Sequence, residues 1–147
     1  MDSQSSEIPK QSENHLKIAK NAEEIARLHR RVHDTFRHRG DSEAARQDWE
    51  RACAEFHVRY NVLAFPDGLD EETFFDRLRE NDPVITEWAL CFLEARPYFF
   101  RSGYVWRKLS RRLKRVVLSP DQERRFSSVL RRYEEWKAQK LRPLSPL

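Results

Sequence analysis

Glycine is scarce in this chain: Gly40, Gly68 and Gly103 are the three among 147 residues. So few left-handed hinges exclude an architecture built on many tight hairpins. No segment alternates apolar and polar residues beyond four positions, so no strand is expected. No apolar run approaches the roughly 18 residues that a membrane span needs, and no membrane partner is expected. The two cysteines, Cys53 and Cys91, each lie in an apolar helical pattern. They read as buried thiols rather than a bridge, which points to a reducing, cytoplasmic setting. Met1 is followed by D-S-Q-S-S-E, without an apolar or Arg-rich leader pattern.

The usual catalytic signatures are missing as well. There is no C-x-x-C knuckle, no H-E-x-x-H, no P-loop, no Rossmann glycine fingerprint and no nucleophile elbow. The expectation is a protein that is not an enzyme and takes neither cofactor nor metal.

What the chain has is charge and aromatic mass. Charged residues make up 35% and apolar ones 39%, with nine Phe, four Trp and four Tyr. A disordered chain lacks that aromatic content. At this length one compact domain can bury a core without staples. The net charge of +4 conceals a gradient: residues 1–60 are neutral, 61–95 carry −7 and 96–147 carry +11.

Residues 1–11 and 140–147 read as tails. A helix is expected over 12–38, with an apolar seam of Ile18, Ala22, Ile25, His29, Val32 and Phe36 at spacings of 4, 3, 4, 3 and 4. Gly40 reads as its left-handed terminator and Asp41 as the next N-cap. A second helix over 42–60 carries Ala45, Trp49, Ala52 and Phe56, which makes an antiparallel hairpin. The seam of the first helix would serve a homodimer equally well. Val62, Leu63 and Phe65 are expected to cross the core before Pro66-Asp67-Gly68 turns the chain.

Asp70 then caps a short helix to about residue 80, and Asp82-Pro83 opens another to residue 96. That helix is apolar over more than half its circumference, which marks it as central. A basic helix follows over 104–117. Val105, Trp106, Leu109, Leu113, Val116 and Val117 fall on one arc, with Arg107, Lys108, Arg111, Arg112, Lys114 and Arg115 opposite. Ser119-Pro120-Asp121-Gln122 is a capping box for a last helix to residue 139. The expected fold is an all-α, single-domain bundle of five main helices and one short one over 12–139. Residues 12–60 form the hairpin, 61–82 a loop and short helix, and 83–139 a three-helix unit.

Three constellations invite chemistry. His29/His33 and Cys53/His57 are each four apart on a helix, as zinc ligands often are. A hairpin pivoting at Gly40 sets the two pairs about 6 Å out of register, which favours ordinary histidines. Glu87 and Glu94 lie two turns apart on the central helix, as acid–base pairs can. Their plainer role is to neutralise Arg96, Arg101 or the basic helix. The third is the basic helix with the corner before it, P-Y-F-F-R-S-G-Y, where Gly103 is expected to allow a sharp turn.

The corner aromatics serve either a core hinge or an exposed partner site, since Tyr, Phe and Arg make binding hot spots. The favoured reading is a non-catalytic protein-interaction module: an adaptor, an immunity- or antitoxin-like factor, or an assembly subunit. Its acidic protein partner would meet Arg101, Arg107, Lys108, Arg111, Arg112, Lys114 and Arg115, with Tyr98 and Tyr104. The second reading places nucleic acid on the same face. No helix-turn-helix, RNP or GxxG pattern sharpens it.

Overall fold

The computed structural model describes residues 11–141. Of the expected tails 1–11 and 140–147, residues 1–10 and 142–147 lie outside the described residues, and Gln11 opens a helix instead. The architecture is all helical: α1 (Gln11–His38), α2 (Glu43–Leu63), α3 (Glu71–Arg79), α4 (Pro83–Ala95), α5 (Ser102–Leu113) and α6 (Pro120–Lys140), with a short 3-10 turn at Pro66–Gly68. Two compact units divide at Val116/Val117, the first holding α1–α5 and the second α6.

In the first unit α1 and α2 run antiparallel. Arg31 Nη1 donates to Glu55 Oε1 at 2.6 Å, the His29 and Phe56 rings stack at 5.1 Å, and Asn21 Nδ2 reaches the Leu63 carbonyl at 3.4 Å. These pairs put the pivot between residues 42 and 43, not at Gly40. The connection differs from expectation for the same reason. Gly40 is not left-handed, and Ser42 rather than Asp41 caps α2, its hydroxyl accepting from the Ala45 amide at 3.0 Å. Asp41 instead meets His38 Nδ1 at 3.1 Å.

Buried residues on α1 are Ile18, Ala22, Ile25 and Leu28, while Phe36 at the far end of the expected seam is 43% exposed. α1 packs against both α2 and α4, so its buried stretch is covered within the chain. α2 buries only Ala52. It extends to Leu63 and turns Val62 outward at 47% exposure, while Ala64 and Phe65 enter the core.

α4 is the central element. Its nine consecutive residues Ile85–Leu93 are all buried. Asp82 caps it with one carboxylate oxygen accepting from the Val84 and Ile85 amides at 3.0 and 3.2 Å, a cap of the kind that contributes about 1 kcal/mol. Aromatic rings link its surroundings: Phe65 to Phe74 at 4.8 Å, Phe74 to Trp88 at 5.2 Å, Trp88 to Phe92 at 5.3 Å and Phe92 to Phe99 at 6.1 Å. These are the distances of tilted and edge-to-face aromatic packing. α5 is pinned to α4 by the indole of Trp106, whose Nε1 donates to the Leu93 carbonyl at 3.1 Å.

In the second unit, α6 opens with the capping box read from the sequence: Ser119 Oγ accepts from the Gln122 amide at 3.1 Å and Gln122 Oε1 from the Ser119 amide at 3.0 Å. Farther along, Tyr133 and Trp136 stack at 5.8 Å with Lys137 and Lys140 over their faces. Lys140 closes the helix rather than opening a tail.

Candidate interaction surface and a buried polar cluster

The chain from α4 to α5 turns through a corner held by two residues in the left-handed region. Arg96 has φ 49° and Arg101 φ 66°. Gly103, expected to make the turn, lies inside α5 with an ordinary helical φ. Left-handed backbone disfavours a side chain with a Cβ. Here it is held by reciprocal bonds, the Phe99 amide donating to Ser102 Oγ and the Ser102 amide to the Phe99 carbonyl, at 3.0 and 2.9 Å.

The corner aromatics divide by exposure. Phe99 and Trp106 are buried. Phe100 is 42% exposed and rests edge-on against His29, Phe56 and Tyr60 at 5.2 to 5.8 Å, bridging α1 and α2. Burial against these rings raises the Tyr60 hydroxyl above its ordinary pKa, and the nearby Arg101 charge opposes the rise. Tyr98 projects into solvent at 92% exposure. A shallow cleft of about 870 Å³ adjoins it, lined in part by Arg27, Arg30, Arg59 and Pro97.

The basic residues divide as well. Lys108 turns towards α3: its Nζ donates to Glu71 Oε2 at 2.8 Å and sits 4.2 Å from the centre of the Phe75 ring. Tyr104 donates to the same carboxylate at 3.3 Å, with Arg101 over its ring at 4.7 Å. Lys108 is thus committed to the fold. Arg107 and Arg111 are exposed on α5, and Arg112 is half-buried.

α5 ends at Leu113, so Lys114 and Arg115 lie in the turn after it and not on its outer face. Val117, placed by the sequence on the apolar arc, is 79% exposed for that reason. The helix stops short because the residues after Leu113 close 3-10-type bonds, Arg115 to Arg112 and Val116 to Leu113.

α5 contains no acidic residue. Among the described residues Arg107, Arg111, Arg112, Lys114 and Arg115 make no ion pair. Elsewhere the exposed arginines are largely answered locally. Arg27, Arg37, Arg46, Arg51, Arg79 and Arg124 each meet a carboxylate one turn away. The acidic segment 61–95 therefore neutralises Lys108 through Glu71 and leaves the outer α5 charge standing.

Glu87 and Glu94 belong to a cluster between α4 and α1. They flank Cys91 on the face of α4 turned to α1. The Cys91 thiol donates to Glu87 Oε2 at 3.3 Å, Asn14 Nδ2 donates to Cys91 Sγ at 3.7 Å, and His15 Nε2 meets Glu94 Oε1 at 3.1 Å. Asn14, Glu87 and Cys91 are buried where α1 packs on α4. The sequence signal for this cluster was the i, i+4, i+7 spacing of Glu87, Cys91 and Glu94. His15 lies on a separate helix, 79 residues from Glu94, beyond the reach of any spacing pattern.

The other candidate metal group fares differently. With the observed pivot the His29/His33 and Cys53/His57 pairs lie in register, contrary to the sequence argument. Yet His33 and His57 point outward, and His29 is occupied by rings: His33 at 4.6 Å, Phe56 at 5.1 Å and Phe100 at 5.2 Å. Burial, with a smaller contribution from the His33 charge, lowers its pKa.

Compared with protein-family models, curated proteins and solved structures, the chain matches none. Among the described residues, no helix is long and apolar enough to cross a membrane.

Proposed function

We propose that the protein is a non-catalytic interaction module that binds an acidic protein partner through the corner and outer face of α5. The supporting observation is the cationic ridge of Arg107 and Arg111, exposed on a helix without a single acidic residue. Uncompensated surface charge of this kind steers an oppositely charged partner and sets its register. Arg101, stacked on Tyr104, and the projecting Tyr98 extend the ridge with the residue types that anchor interfaces. Arg112, Lys114 and Arg115 flank it, and Lys108 supports it from behind through Glu71. The two free cysteines, one half-buried and one buried, fit a cytoplasmic setting.

A second reading puts a nucleic-acid backbone on the same ridge. Its specific support is Tyr98, 92% exposed beside cations, as a surface on which a base can stack. A photo-crosslinker at Ser110, beside the ridge, separates the two in cells. A protein adduct whose crosslinked peptide is acidic, lost in Arg107→Glu/Arg111→Glu, is the expected result. A nuclease-sensitive adduct lost in the same variant establishes the second reading. No adduct beyond that given by the same group at Ala54, on the exposed side of α2, overturns both.

A further inference from the structure

We propose that His15 Nε2, Cys91 Sγ and a carboxylate oxygen of Glu94 form a binding site for a zinc-like divalent transition-metal ion. The three donor atoms all lie within 4.8 Å of one another, and the imidazole and carboxylate are already at 3.1 Å. Bonds of about 2.0–2.3 Å in a tetrahedral shell place donors about 3.3–3.8 Å apart. Small side-chain rotations therefore suffice to close the set around an ion. Thiolate, imidazole and carboxylate together select zinc and its neighbours over magnesium or calcium, which take oxygen donors alone.

The surroundings fit that use better than they fit plain packing. α4 buries nine residues in succession, and the polar group inserted among them faces α1. A hydrophobic set of similar volume holds two helices together as well as buried polar pairs do, or better. The fold alone thus gives no reason to place a thiol, two carboxylates, an imidazole and an amide at this contact. Asn14 supplies a hydrogen bond to the sulfur that favours its metal-bound, anionic form, the usual service of an outer-shell residue. Glu87 Oε2, 3.3 Å from the sulfur on the other side, accepts a hydrogen bond from the thiol and holds its orientation. Access comes from the His15 side: its side chain is 32% exposed and that of Glu94 11%, while the sulfur lies behind them at full burial. A solvent molecule from that side completes four-coordination.

Cobalt(II) titration of the full chain tests the site, because a cobalt–thiolate bond shows a ligand-to-metal charge-transfer absorption that oxygen and nitrogen ligands do not give. The expected result is one cobalt per chain, the charge-transfer band, and displacement by zinc. Cys91→Ser should abolish the band. His15→Gln should weaken cobalt binding at least about tenfold, the lower end of what even outer-shell losses cost. His33→Gln on the outer surface should change nothing. Should the buried Cys91→Ser variant fail to fold, the partly exposed His15→Gln variant decides alone. No cobalt binding, binding without the band, or binding indifferent to His15→Gln each overturns the proposal.

Discussion

His29 shows how one residue's surroundings set a solution property. Its ring is wedged among Phe56, Phe100 and His33, and burial there holds its pKa below the ordinary 6.5. The residues lining the neighbouring hollow include Arg30 and Arg101, so the charges nearby are of the same sign as a protonated imidazole. The folded state then binds fewer protons than the unfolded chain. Stability is full above about pH 6.5 and falls as pH drops through that value, levelling off below the depressed folded pKa. Urea unfolding midpoints measured between pH 7.5 and 5.5 should therefore decline on acidification, with the decline reduced in His29→Gln. An identical decline in the variant would assign the effect to other groups. The sequence placed His29 on the seam at the right spacing. It did not show that the seam would be aromatic at this point, because Phe100 arrives from 71 positions away.

At the scale of elements, helices and caps were legible and corners were not. Ser, Asp and Pro placed the starts of α3, α4 and α6 because capping is a local reaction between a side chain and amides two or three residues on. The apolar circumference of α4 announced its central place because a helix apolar around most of its surface has no face to spare for water. The α4–α5 corner depends instead on backbone conformations that the sequence assigned to the wrong residue. Gly103 is the residue type that tolerates φ > 0, yet Arg96 and Arg101 adopt it.

The distinction leads to a measurable consequence. Arg101→Gly removes the conflict between a Cβ and left-handed backbone, a relief of about 1 kcal/mol, and loses the stacking on Tyr104, about 0.5–1 kcal/mol at an exposed site. Thermal unfolding of Arg101→Gly should then stay within about 1 kcal/mol of the parent protein. A loss of several kcal/mol would mean that Arg101 holds the corner through more than its stacking. The charge of α5 was likewise legible in amount but not in distribution. The turn of Lys108 to Glu71 depends on a contact between elements, and the early end of α5, which takes Lys114 and Arg115 off its outer face, on a change of backbone bonding after Leu113.

Across the first unit as a whole, burial is unevenly spread, and stability should be spread in the same way. From Ile85 to Leu93 α4 is buried throughout, with Phe74, Phe92, Leu90 and Leu93 at or below 2% exposure. At the other extreme the tip of the hairpin is a small satellite: Phe36 edge-on to Trp49 at 5.9 Å, with the Arg39 guanidinium 3.4 Å over the Phe36 ring. Residues 36–44 between them are exposed throughout. Opening that tip uncovers one aromatic pair and the contacts of Arg39 with both its rings, roughly 1–3 kcal/mol in all. Opening α4 uncovers the core itself, which coincides with global unfolding. Native-state hydrogen exchange should resolve the two. Amides in 34–45 should exchange through local openings that are insensitive to low denaturant, whereas those in 87–94 should exchange only through an opening with the full denaturant dependence of unfolding. Equal protection in the two segments would mean that the hairpin and α4 open as a single cooperative unit. α1 would then transmit to its tip the stability it gains where Ile18, Ala22, Ile25 and Leu28 are buried.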